Sequence, residues 1–142
     1  MNDRFKFRVW SIANKKYCHF ATMDLSADGL LRVIRPLEQS EYIDDYENRY
    51  VIQQCTGLKD KNGKLIYEGD ILKELYTDDD GIKEYFSIVK WHIGSAGFVM
   101  YDVDYKIDYT YFNEFDVNLD NFEIVGNIYE NSDFLNKRGK NE

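Results

Sequence analysis

Apolar and polar positions alternate along most of this chain, and short glycine-rich or acidic stretches break the alternation into segments. Phe5, Phe7 and Val9 alternate with Arg4, Lys6 and Arg8, which predicts a half-buried strand with a basic outer face. Ser11 to Lys16 reads as a loop and Tyr17 to Ala21 as a partner strand. Asp28-Gly29 predicts a hairpin turn, Leu30 to Ile34 a short strand stopped by Pro36, and Arg49 to Thr56 a further strand. Between them, Glu38 to Asn48 is polar and acidic, a loop or a single helical turn.

The stretch from Thr56 to Leu75 organises the rest. Asn62-Gly63 lies between apolar runs and predicts a tight type I′ reversal, because both residues tolerate positive φ. Leu65, Ile66 and Tyr67 form a short buried run, and Glu68-Gly69-Asp70 turns the chain again. Ile71, Leu72 and Leu75 begin a strand that ends at Asp78-Asp79-Asp80-Gly81. Glu84 to Ile93 follows as a strand apolar on both sides, with Phe86 and Ile88 on one and Val89 and Trp91 on the other, which places it centrally in a sheet. Gly94 to Gly97 returns the chain into Phe98 as an antiparallel hairpin.

From Val99 to Tyr111 the alternation is nearly unbroken. Val99, Tyr101, Val103, Tyr105, Ile107, Tyr109 and Tyr111 share one face; Asp102, Asp104, Lys106, Asp108 and Thr110 take the other. A continuous strand of that length would span about 43 Å at about 3.3 Å per residue, too long for a small barrel, so a bend, a hairpin or a projecting strand is expected. Asn118 or Asp120 can cap a helical turn. Phe122 to Glu130 is the last strand, with Gly126 as a bulge or close-packing point. Asn131 or Ser132 can cap a final turn carrying Phe134 and Leu135.

Several strings also resemble the YopX family, small proteins of bacterial phages and prophages. They are Thr56-Gly57-Leu58-Lys59-Asp60-Lys61-Asn62-Gly63-Lys64 with Ile66-Tyr67-Glu68-Gly69-Asp70-Ile71, then Phe5 to Trp10 with Lys15-Lys16-Tyr17, Val89-Lys90-Trp91 with Gly97-Phe98, and Glu123 to Asn131. The likeness spans nearly the whole chain. Ser132 departs from it, since family members often carry proline there, and the tract 99–111 is richer in tyrosine than the family pattern. The resemblance implies a mostly β protein with an SH3-type barrel, and it carries over no catalytic residue. Together these readings predict an all-β, β-dominant chain: a single domain over 1–142, with N-terminal β-hairpins in about 1–56, an SH3-type barrel in about 65–130, and little helix.

Length and composition agree with one domain able to bury a core, at 142 residues with one proline and nine glycines. The net charge of −8 is unevenly placed: residues 1–75 are neutral, while 76–130 hold three basic and twelve acidic residues. An acidic half repels phosphate backbones and disfavours general nucleic-acid binding. The two cysteines, Cys18 and Cys55, are expected to be reduced and buried. The polar start and the absence of a long apolar run predict a protein of the bacterial host cytoplasm without membrane attachment.

Candidate chemistry is sparse. His19 and His92 are available as bases, but no nucleophile accompanies them in a recognisable arrangement. Cys18, His19, Cys55 and His92 lack paired zinc-ligand spacing, and adjacent strand residues point to opposite faces. A calcium loop opening at Asp24 would need a carboxylate where Arg35 stands. No catalytic, metal or cofactor residue is therefore assigned, and the chain is read as not an enzyme. Binding remains. Tyr101, Tyr105, Tyr109 and Tyr111 are candidate partner contacts, for a second copy of the chain or a host or phage protein. The alternative is nucleic acid held by Arg4, Lys6, Arg8, Lys59, Lys61 and Lys64, with Trp10 stacking on a base.

Overall fold

The computed structural model describes residues 3–18, 21–25, 31–36, 48–106, 108–111 and 119–138, and the strands dominate it. The expected Asp28-Gly29 turn, the segment 38–47, His19 and Asn118 lie outside the described residues. The chain forms two compact units, one of residues 7–53 and one of residues 1–6 with 54–142.

In the smaller unit, β1 (Phe7–Ser11) pairs antiparallel with β2 (Lys16–Cys18), and Trp10 meets Tyr17 edge-on at 5.0 Å. Trp10 is buried, so it does not stand ready to stack on a base. The predicted alternation fails at its start: Phe5 and Phe7 are exposed, while Val9 and Trp10 are both buried. The reason is local. Asp3–Phe5 is a 3-10 turn closed by the Lys6 N–H on the Asp3 carbonyl, so Phe5 never enters the strand. A separate hairpin joins β3 (Ala21–Leu25) to β4 (Leu31–Pro36), with Pro36 as its last residue, where a missing N–H costs least.

The larger unit holds the second half of β5 (Tyr50–Lys59) paired with β6 (Leu65–Tyr67), and a five-stranded antiparallel sheet. That sheet runs in the order β10 (Asp108–Tyr111), β9 (Gly97–Asp102), β8 (Gly81–His92), β7 (Asp70–Asp78) and β11 (Phe122–Asn127), and it curls into a half-barrel. The all-β, barrel-like class expected from the sequence is what the chain adopts. Ile66, Leu72, Val89, Met100 and Phe122 form the core on one face. Burying side chains of this size contributes about 1.5–3 kcal/mol each. Ile71, Phe86, Ile88 and Val103 form a second cluster on the opposite face, covered by Phe134 and Leu135 of α1 (Ser132–Arg138).

The Glu68-Gly69-Asp70 corner links several strands. Gly69, at φ +84°, donates to Val89 and accepts from Ile128, while the Asp70 carboxylate accepts the Tyr67 N–H at 2.8 Å. The turn after β5 is not the expected type I′. Gly63 alone has positive φ, its N–H bonds the Asp60 carbonyl, and the Asp60 N–H bonds the Lys64 carbonyl. This is a type I turn followed by a left-handed glycine, with aspartate at its favoured first position.

The long tyrosine tract folds back on itself as β9 and β10, one of the expected alternatives. Asp102, placed on the wet face by simple alternation, is instead buried. Its Oδ1 accepts the N–H groups of Asp104 and Tyr105 at 2.8 and 2.7 Å, and its Oδ2 accepts the Tyr85 hydroxyl. The carboxylate is the staple that ends β9 and starts the reversal. Gly126 sits at a register shift between β11 and β7, and a Cβ there would collide with Asn131 Oδ1. Both readings of that glycine, bulge and close packing, hold.

Candidate binding surface

Strands β7 and β8 outrun their neighbours. β11 pairs with β7 only as far as Glu74, and β9 pairs with β8 only from Ser87 onward. The rest of both strands, to the turn at Asp78–Gly81, is a two-stranded ribbon with register Leu75↔Glu84 and Thr77↔Ile82. Directly opposed residues share a face, and alternate residues along each strand do too. One face of the ribbon therefore reads, from the sheet outward, Ile71 with Ile88, Lys73 with Phe86, Leu75 with Glu84, and Thr77 with Ile82. Burial falls off along it: Ile71 and Ile88 are buried, but Leu75 is 51% and Ile82 74% exposed.

Where this face meets α1 there is an open cavity of about 200 Å³, lined by Ile71, Lys73, Glu84, Phe86, Val125, Asn131 and Phe134. Phe86 and Phe134 stand 5.0 Å apart, and the Arg138 guanidinium lies 4.0 Å above Phe86 while pairing with Asp104 at 2.8 Å. Asn131 is held by accepting the Asn127 N–H at 3.1 Å. Lys73 lies 4.0 Å from Glu84 and 3.9 Å from Glu123. Lys61 reaches Glu123 at 2.8 Å, and this bond, more than any other influence, holds the Glu123 carboxyl below its ordinary value.

The sequence-predicted contacts are scattered. Of the candidate nucleic-acid residues, Lys6 pairs with Asp3 at 2.8 Å and Lys61 with Glu123, while Lys59 lies close enough to Asp3 to help lower its pKa, after the larger effect of Lys6. Arg4 packs its side chain over Gly57, and its carbonyl accepts from Gln54. The Lys64 N–H bonds Asp60. Arg8 belongs to the other unit, where it donates to Gln53 at 2.7 Å and lies 4.9 Å from the Tyr17 ring. Of the tyrosines, Tyr101 sits under the Lys90 ammonium at 3.5 Å and Tyr105 is 76% exposed in the turn after β9. Tyr109 and Tyr111 lie on β10, whose side chains are outside the described residues.

Other polar groups are committed to the fold. His92 ends β8 and accepts the Ser95 N–H on Nδ1 at 3.2 Å. Burial raises the Glu68 carboxyl above its usual value, against N–H bonds from Gln54 and Trp91. Cys55 is buried and Cys18 half-buried, both as free thiols. Among the described residues no group of three or more histidine, cysteine or acidic side chains is placed to hold a metal, and no helix is long and apolar enough to cross a membrane. The ribbon face is hard to read from sequence because Ile82 falls between the acidic turn Asp78–Gly81 and the strand expected from Glu84, and so belongs to neither. Counting back from the turn would have paired it with Leu75's side of the strand.

The YopX protein family model matches residues 6–136. The chain belongs to the YopX family. No curated protein matches it. Among solved structures, it resembles protein EF1440 from Enterococcus faecalis, with 25% identity, a TM-score of 0.60, and coverage of 92% of this chain and 96% of that one. It also resembles protein yopX from Bacillus subtilis, with 22% identity, a TM-score of 0.58, and coverage of 93% and 97%. The second likeness is one of fold. The matched span includes the Thr56–Ile71 string, which forms the turn and corner that join β5, β6 and β7.

Proposed function

We propose that the protein is a non-enzymatic interaction module, encoded by a phage or prophage and working in the host cytoplasm, that binds another protein through the projecting β7–β8 ribbon. The observation behind this reading is the ribbon face itself, on which Leu75 and Ile82 remain exposed beside an open apolar cavity. Contiguous exposed apolar surface marks sites of interaction with partners. A second copy of the chain is the other candidate partner, with Tyr105 as its exposed aromatic. The test is affinity capture from infected or prophage-induced cells, with wild type beside a Leu75→Ser/Ile82→Ser variant. A protein held by wild type and lost with the variant supports the reading. Identical recoveries from both would overturn it.

A second reading is nucleic-acid binding, favoured by one feature: Phe5 is 68% exposed between Arg4 and Lys6, with Lys59 nearby. Binding of a random oligonucleotide at low salt, lost in an Arg4→Glu/Lys59→Glu variant, would support it. A null result at low salt removes it.

A further inference from the structure

The cavity between the ribbon and α1 is too small for a drug-sized ligand, whose sites run to about 300–1,000 Å³, but its volume of about 200 Å³ suits one large apolar side chain. Ile71, Phe86 and Phe134 supply apolar walls, and Leu75 and Ile82 carry the apolar face outward along the ribbon. The cations at the rim are already matched: Lys73 lies between Glu84 and Glu123, and Lys61 also pairs with Glu123. Lys83 is opposite Tyr76, on the other face. The ribbon tip then adds Asp78, Asp79 and Asp80, all exposed and without a cation among the described ion pairs.

We infer that this cavity takes one leucine- or phenylalanine-sized side chain from a short basic segment of a partner protein, whose lysines or arginines reach the Asp78–Asp80 turn. The inference rests on the binding-module reading and names the chemistry of the partner. An acidic segment would meet like charge at the tip, whereas a basic one is attracted to it and accelerated in encounter. The apolar anchor supplies the discrimination, since filling the cavity removes its side chain from water.

The test uses the full chain and a fluorescent peptide carrying one leucine flanked by lysines and spaced with glycines, read by anisotropy at low salt. Two control peptides replace the leucine with alanine or the lysines with glutamate. Wild type is expected to bind the leucine peptide about tenfold more tightly than the alanine peptide, and the glutamate peptide not at all. Val125→Phe, at an exposed position on the cavity edge, is expected to bring the leucine peptide down to the alanine level. Asp78→Asn/Asp79→Asn/Asp80→Asn is expected to weaken both lysine peptides equally. Circular dichroism confirms that the variants remain folded. Equal affinity for the leucine and alanine peptides, tight binding of the glutamate peptide, or no binding at all overturns the inference. If the peptides fail while cellular capture still depends on Leu75 and Ile82, the basic segment is wrong and the module stands; if capture fails as well, both fall.

Discussion

The Asp60 carboxylate accepts the backbone N–H of Ile124 at 3.0 Å, across 64 positions of sequence. Its other oxygen holds the N–H groups of Asn62 and Lys64, each at 2.9 Å. One side chain thus shapes the turn between β5 and β6 and fastens it to β11. The Lys61 N–H adds a bond to the Phe122 carbonyl beside it. The free edge of β11 is thereby covered, a common way of protecting a sheet margin from unwanted pairing.

Asp60→Asn should destabilise the protein by about 1–3 kcal/mol, because the amide can still accept from the turn but turns an NH₂ group toward the Ile124 N–H. The pH dependence follows from the carboxyl itself. Burial pushes its pKa up, but the N–H groups of Ile124, Lys64 and Asn62 and the Lys64 charge outweigh it, leaving it below the ordinary 3.8. A depressed folded value means that the stabilisation is complete above the unfolded value and is lost as pH falls through the folded one. Urea titrations of wild type and variant should therefore converge in strong acid. Curves that keep a constant separation down to that range would refute the assignment.

How far this was legible from sequence depends on the reach of each interaction. The Glu68–Asp70 corner and the strands after it are readable because glycines and acids bracket them within a few residues. Asp60 is not, since its partner lies on a strand formed much later in the chain and local polarity makes it resemble any solvated loop residue. Asp102 misleads for another reason. Alternation assigns it to water only while the strand continues, and β9 ends there, so the carboxylate turns inward to hold the next two N–H groups. The ribbon face is missed at Ile82 because β8 begins at Gly81, three residues before the strand expected from Glu84.

Gly126→Ala tests the packing at the end of β11. A methyl group there meets Asn131 Oδ1, which is not free to swing away because it accepts the Asn127 N–H. The substitution should cost about 1–3 kcal/mol, the range of overpacking. Asn131→Ala alone loses the hydrogen bond but makes room. The double variant should be more stable than the sum of the two single losses predicts, by more than the error of about 0.5 kcal/mol that independent sites show. Strict additivity in chemical denaturation would show that the two side chains do not compete for the same space.

Glu68 carries the opposite pH signature to Asp60. Burial, its largest influence, lifts the carboxyl above its ordinary 4.5 despite the N–H bonds from Gln54 and Trp91. In the window above 4.5 the folded chain then holds more protons at this site than the unfolded one, so its contribution to stability declines as pH rises. Glu68→Gln keeps an oxygen for both N–H donors and removes the partly buried charge. Thermal midpoints of the variant should gain on wild type from mildly acidic to neutral pH. A difference that does not change with pH would count against a raised carboxyl.

Arg138 locks the last helix onto the sheet by two means at once. Its guanidinium lies over Phe86 at 4.0 Å and forms two bonds to Asp104, at 3.0 and 2.8 Å. A cation over an aromatic ring contributes about 0.5–1 kcal/mol at partly exposed sites, and an exposed ion pair about 0–1 kcal/mol. Arg138→Ala should therefore cost about 1 kcal/mol globally, with a larger local effect: amide exchange across Ser132–Arg138 should accelerate while β7 and β8 stay protected. Arg138→Lys separates the two contributions, because lysine keeps the charge for Asp104 but not the flat group that stacks on Phe86. If stacking dominates, Lys and Ala variants exchange alike; if the ion pair dominates, Lys restores protection. Unchanged exchange in the alanine variant would show that Phe134 and Leu135 hold the helix by themselves.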